Sequence, residues 1–172
     1  MRWDDLKDEN CSFARALSVV GDRWTLMILR DCFLKVRRFE DFQSRLGMGR
    51  GILADRLKKL TDEFILTKIA YQQNPTRYEY RLTERGLDLF PVIISLVHWG
   101  DVHKIDKKGK PVQHVHLGCG QTFEPIMCCS ECGEPVDSRS VKVIPGPGGL
   151  NPVHLPLDRQ PNATVIKRSS NG

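Results

Sequence analysis

Between Phe13 and Trp99 apolar positions return at intervals of three and four residues, and a glycine or a change of period closes each run. Phe13, Ala16, Leu17 and Val20 share one helical face, and Gly21 supplies the stop. Trp24, Leu26, Met27, Ile28 and Leu29 predict a second helix that is apolar nearly all round, the pattern of a buried central element. A third starts near Phe39, carries Phe42 and Leu46, and ends at Gly47. Leu53, Leu57, Leu60 and Phe64 form a stripe on a fourth. Only Gly47, Met48 and Gly49 separate the third and fourth helices, the short glycine-containing turn of a helix-turn-helix.

After Phe64 the period shortens to two. Leu66 to Gln72 is partly β-branched and aromatic, Asn74 and Pro75 punctuate, and Tyr78, Tyr80 and Leu82 alternate with Glu79 and Arg81, which predicts a β-hairpin. Thr83 reads as the N-cap of a last long helix with Leu87, Phe90, Ile94, Val97 and Trp99 on its apolar face. Pro91 falls inside that helix and predicts a kink or a break. The order is that of a winged helix-turn-helix: an α+β fold, mainly α.

Composition changes just beyond Trp99. Residues 101–172 hold eight of the ten prolines, most glycines and four of the six cysteines. The expected organisation is a helical domain over residues 1–100 and, over 101–172, a lysine-rich linker, a small Cys/His-rich module of zinc-ribbon-like β and loop character, and a Pro/Gly-rich tail from 145 to 172. The 172 residues, 27% charged and with mean hydropathy of −0.35, suit a soluble protein. The longest apolar stretch, Phe90 to Trp99, is far short of the roughly 20 residues that span a bilayer. No secretory pattern follows Met1, so a cytoplasmic location without membrane attachment is expected. In a reducing compartment six cysteines point to metal ligation or reactive thiols before a disulfide framework.

The charge is concentrated. From Lys35 to Lys59 eight basic residues face three acidic ones, a net +5 that equals the charge of the whole chain. If Leu53, Leu57 and Leu60 face the core, Gly51, Asp55 and Lys58 lie opposite, with Lys59 beside them, and these predict a DNA-facing surface. Arg50, at the start of that helix, can reach a phosphate or a guanine edge, where a bidentate contact discriminates by about 1–3 kcal/mol. Arg56 is nearer the core stripe, open to a phosphate or to an internal ion pair. Arg37 and Arg38 precede the third helix, placed for backbone phosphates, and Arg77 sits at the hairpin tip as the natural wing contact. Any one of these charges alone reads as a solvated face; their clustering on one motif favours double-stranded DNA.

Four stretches resemble regulators of the HxlR type, a MarR-like branch of winged-helix transcription factors. They are Cys11 to Asp31, Arg38-Phe-Glu-Asp-Phe-Gln, Ile52-Leu-Ala-Asp-Arg-Leu-Lys-Lys-Leu and Tyr78-Glu-Tyr-Arg-Leu-Thr-Glu-Arg-Gly, in order over residues 11 to 100. The resemblance implies a homodimer whose terminal helices pair the subunits and whose recognition helices enter adjacent major grooves. Gly49-Arg50-Gly51 departs from the Ser or Pro helix start of many members, so sequence preference does not transfer. The expected function is a bacterial, sequence-specific repressor answering an electrophile, an oxidant or a small-molecule effector. No paired acid and base, Gly-rich phosphate loop or serine nucleophile motif accompanies it, so no enzyme is expected. The rivals are an enzyme or redox switch built on the Cys/His cluster, and a winged-helix adaptor that no longer binds DNA.

That cluster is His114, His116, Cys119, Cys128, Cys129 and Cys132. Cys129-Ser-Glu-Cys132-Gly and His116-x2-Cys119-Gly each present two ligands three positions apart, so His116, Cys119, Cys129 and Cys132 form a Cys3His set suited to a structural zinc ion. Unliganded thiols, or a disulfide from Cys119 to Cys129 or Cys132, are the alternatives, with Cys128 spare. Several HxlR-type relatives carry a similar tail, a resemblance that supports the paired spacing and not the metal. Cys11 precedes the first helix, whose N-terminal dipoles favour a thiolate, and it aligns with a cysteine that in some HxlR-type regulators resembles a sensor. Its alternative is a packed position near a dimer interface. Cys32 reads as core, and His98, His103 and His154 lack ligand spacing.

Overall fold

The computed structural model describes Lys7 and residues 9–104, 106–144 and 146–148. Most of the predicted 145–172 tail, with His154, lies outside the described residues. The elements run α1 (Ser12–Val20), α2 (Arg23–Phe33), α3 (Phe39–Leu46), α4 (Arg50–Asp62), β1 (Leu66–Gln73), β2 (Thr76–Leu82), α5 (Glu84–Leu87) and α6 (Phe90–His103).

Local signals start and stop the helices. The Asp22 carboxylate accepts the backbone N–H groups of Trp24 (3.0 Å) and Thr25 (3.2 Å) and so caps α2. Gly47, left-handed at φ 62, ends α3, its N–H donating to the Gln43 carbonyl; Gly49 then opens α4 two residues later. α4 stops at Asp62 through Phe64, left-handed at φ 56, while the Ile65 N–H reaches back to the Leu60 carbonyl (2.9 Å). Phe64 therefore leaves the stripe expected of it and is exposed, because the chain must reverse there to enter β1, and Ile65 and Leu66 take the buried places.

Ile28 and Leu29 of α2, Phe42 of α3, and Leu53, Leu57 and Leu60 of α4 meet at 0% exposure, closed below by Leu66 and above by Ile93. One carboxylate is buried among them. Asp31 accepts from Arg30 Nη2 (2.6 Å) and Arg45 Nε (3.1 Å), tying α2 to α3, and among the described residues no buried side-chain polar atom lacks a partner.

The hairpin pairs antiparallel from Leu66↔Leu82 to Gln73↔Thr76 with an irregularity between Ala70 and Gln72. A short third rung crosses it, with Arg38 bridged to Glu79 and the Tyr80 N–H donating to the Arg37 carbonyl (2.8 Å), so the wing is anchored to the entrance of α3.

Thr83 caps the four-residue α5, not the long last helix expected of it, through a bond from the Gly86 N–H to its Oγ1 (3.2 Å). Pro91 sets the break. Without an N–H and with its ring against the preceding turn, it cannot continue a helix, but it fits within the first turn of a new one, where it stands in α6. α6 turns Ile93 and Ile94 inward and leaves Val92, Leu96, Trp99 and Val102 exposed; Phe13 of α1 is 72% exposed. Beyond α6, residues 106–144 form loops and turns beside that helix, and none of their described side chains is buried.

Candidate nucleic-acid interface

α4 exposes Gly51, Asp55 and Lys58 on the face opposite Leu53, Leu57 and Leu60, as a turn of 100° per residue requires. Lys58 is held along the helix by Asp62 (2.6 Å). Arg50, in the first turn, stacks its guanidinium over the Phe39 ring at 4.9 Å. Together with Phe39 and Glu40 of α3 and with Thr76, Arg77, Tyr78 and Tyr80 of the wing it lines one groove where the starts of α3 and α4 meet the hairpin. The structure thus brings together a helix start and a wing tip that lie 27 positions apart in the chain.

Two expected surface cations are otherwise engaged. Lys59 Nζ donates to the Ser18 carbonyl (2.6 Å) in the last turn of α1, where helix dipoles favour a cation. It faces the α1–α4 junction, a correction to the groove-facing place expected from the helical wheel. Arg56 takes the internal ion pair, its Nε 2.9 Å from Asp22 Oδ1. Partial burial opposes ionisation of Asp22, but the bond from Arg56 and those from the Thr25 and Trp24 N–H groups hold its carboxyl below the usual range.

Arg38 lies over the Tyr71 ring at 4.4 Å and reaches Glu79 Oε1 at 3.4 Å. Glu79 is shared with Arg81 (3.0 Å), and these two cations, Arg81 first, lower its carboxyl from the ordinary value. Arg37 is half-buried. Lys68, whose Nζ sits 3.9 Å over the Tyr78 ring, is a wing cation that the charge pattern did not single out, although its polar place in an alternating strand was a usable signal.

Cys11 is the half-buried N-cap of α1 and makes no side-chain capping bond. Cys32 is buried, and burial, with the Asp31 charge beside it, pushes its thiol up to about 12. All six cysteines are free. In the module His116 Nδ1 lies 3.4 Å from Cys119 Sγ, and backbone N–H groups of Cys132 and Glu131 lower the Cys129 thiol. The expected gathering of His116, Cys119, Cys129 and Cys132 is not seen: among the described residues no three metal-ligating side chains stand together. The chain forms two separate ligand pairs.

Among the described residues no helix is long and apolar enough to cross a membrane. The HxlR-like helix-turn-helix family profile matches residues 19–108. Rv3095 of Mycobacterium tuberculosis H37Rv, an uncharacterised HTH-type transcriptional regulator, is 43% identical over 140 residues, covering 81% of this chain and 89% of its own. The crystal structure of PA1607, described as a transcription factor, superposes with a TM-score of 0.72 at 30% identity, covering 81% of this chain and 98% of its own. The redox regulator HypR in its reduced form matches at TM-score 0.51 and 25% identity over 55% of this chain and 94% of its own. With the groove between α4 and the wing in place, these matches show that the chain belongs to the HxlR-like helix-turn-helix family of transcriptional regulators.

Proposed function

We propose that the protein is a cytoplasmic homodimeric repressor that binds double-stranded DNA with α4 in the major groove and the wing on the flanking backbone. The shared groove of Arg50 and Arg77 carries this reading, because a guanidinium at a helix start and another on a hairpin can hold one duplex from two sides. Lys58 and the small Gly51 leave the exposed side of α4 open to base edges. Arg38 and Arg37 stand where the wing meets α3 and supply further phosphate contacts. Exposed apolar side chains on α1 and α6 support pairing of two copies, which would set the distance between recognition helices. An effector acts by favouring one such distance over another, and Cys11, beside the exposed face of α1, is the candidate thiol for an electrophile or oxidant.

Binding to the protein's own upstream DNA, measured across salt concentrations, tests the reading. Arg77→Ala is expected to weaken binding and to flatten the salt slope by about one unit for every phosphate that the arginine had neutralised. Arg50→Ala should cost about 1–3 kcal/mol if it reads a guanine. Lys59→Ala, with its cation spent on Ser18, should leave the slope unchanged. Salt-independent binding by the wild type, or unaltered binding by the Arg50 and Arg77 variants, would overturn the proposal.

A further inference from the structure

Beyond α6 the chain doubles back. The Gly109 N–H donates to the Asp106 carbonyl (3.2 Å), with Gly109 left-handed at φ 86, and the Lys108 N–H donates to Asp106 Oδ1 (2.7 Å). This turn returns Pro111, Val112 and His114 along α6 as an arm, which Lys110 ties to Glu124 (2.6 Å). Across from the arm, the end of α2 meets the start of α6 where the Phe33 and Phe90 rings pack T-shaped, centroids 5.3 Å apart. The arm does not fill the space it crosses, because none of its described side chains is buried. Between the arm, α2, α3 and α6 lies a cavity of about 450 Å³, inside the ~300–1,000 Å³ range of small-molecule sites. Leu34, Phe90 and Val112 line it and remain exposed, so apolar surface faces the hollow without cover.

The polar groups of the cavity identify what fits it. Buried Asp31 accepts from Arg30 Nε (3.0 Å) and Nη2 (2.6 Å) on one oxygen and from Arg45 Nε (3.1 Å) on the other. Two guanidiniums thus share one carboxylate, which leaves one positive charge in excess, and both line the cavity. Arg45 uses only Nε for that bond. Among the described residues its two Nη groups have no hydrogen-bond partner, and together they form an edge that matches the two oxygens of a carboxylate. Asp101 also lines the cavity, but Lys110 stands within its field, held protonated first by its bond to Glu124 and further by the Asp101 charge. Apolar walls with an under-used guanidinium pair select a ligand that is apolar along its body and anionic at one end.

We propose that this cavity binds an apolar monocarboxylate, its carboxylate on Arg45 and the free donors of Arg30 and its hydrocarbon body between Phe33, Phe90 and Val112. Part of the wall lies beyond residue 108, where the family profile ends, so the site depends on the arm that this chain adds to the winged domain. α3, the first helix of the helix-turn-helix, and α6 both contribute to the lining. Occupancy therefore favours one placement of these helices over others. That regulatory consequence rests on the repressor reading above, whereas the binding site does not.

The test is calorimetric titration of the full chain, without DNA, with octanoate and 4-phenylbutyrate, and with octanamide as the neutral counterpart. Each acid is expected to bind once per chain, and octanamide at least about tenfold more weakly because it forfeits the charge-assisted bonds. Arg45→Gln should abolish the preference for the acid over the amide. Because Arg45 also pairs with Asp31, a second pair of variants is placed on the exposed arm, away from that carboxylate. Val112→Glu should bind octanoate about tenfold more weakly than Val112→Lys, since the two put opposite charges at the same rim. No binding by the wild type, equal affinity for acid and amide, or equal octanoate affinity in the two Val112 variants would overturn the site. Titration of the protein's own upstream DNA in saturating octanoate reads the regulatory consequence separately. Unchanged DNA affinity there would overturn that consequence alone, and absence of DNA binding under all conditions would overturn the repressor reading while the calorimetric result stands.

Discussion

Asp22 performs two tasks with one carboxylate, capping α2 and pairing with Arg56 of α4. Asp22→Ala should therefore cost about 1–2 kcal/mol of unfolding free energy, the upper part of the range for removal of a cap, and Asp22→Asn less because an amide oxygen still caps. The folded-state pKa is depressed, so the carboxylate's contribution is present above its ordinary value of 3.8 and is lost as pH falls through the lower folded value. Urea unfolding at a series of pH values should show the gap between wild type and Asp22→Asn closing toward acid. The cysteines differ by burial in the same manner. With its thiol pushed up to about 12, Cys32 has almost no thiolate at neutral pH, while Cys11 is half-buried at a helix start. Brief treatment of the native protein with N-ethylmaleimide, read by peptide mass spectrometry, should label Cys11 and spare Cys32. Rapid labelling of Cys32 would contradict the burial argument.

At the level of helices and strands, α4 was legible from its leucine period, because a 3.6-residue repeat states which side faces the core before any partner is known. Its C-terminus was not. Phe64 continues the stripe by spacing, yet it occupies the left-handed position that reverses the chain toward β1. A side chain with a Cβ is strained there, so Phe64→Gly should raise stability by about 1 kcal/mol, measured by thermal or urea unfolding; a decrease would show that the exposed ring has a packing role. The wing was legible as alternation, but its anchorage was not. Arg38 meets Glu79 across 41 positions, and no local signal announces a rung between a helix entrance and a hairpin.

For the molecule as a whole, the exposed apolar faces of α1 and α6 matter most. Ile93 and Ile94 turn into the core while Val92, Leu96, Trp99 and Val102 point away from it, a division that suits a helix packed on two sides. Leu96→Glu places a charge in the exposed stripe without touching Ile93 or Ile94. If the proposed pairing of two copies uses this stripe, light scattering should show dimer for the wild type and monomer for the variant, accompanied by weaker operator binding. A monomeric wild type would overturn the proposed dimer, and a dimer that persists in the variant would overturn its placement on α6.

Elements, helix-ending glycines and ligand spacings were readable from the chain alone because their causes are local. A glycine ends α3 within one turn, and cysteines three apart share a loop. Which cations are free for DNA was not readable, because that depends on groups brought close by folding. Arg56 is spent on Asp22 at a separation of 34 positions and Lys59 on the Ser18 carbonyl at 41, while Arg50 and Arg77 come to share a groove. A helical wheel gives the direction of a side chain, but the partner at its end belongs to another element.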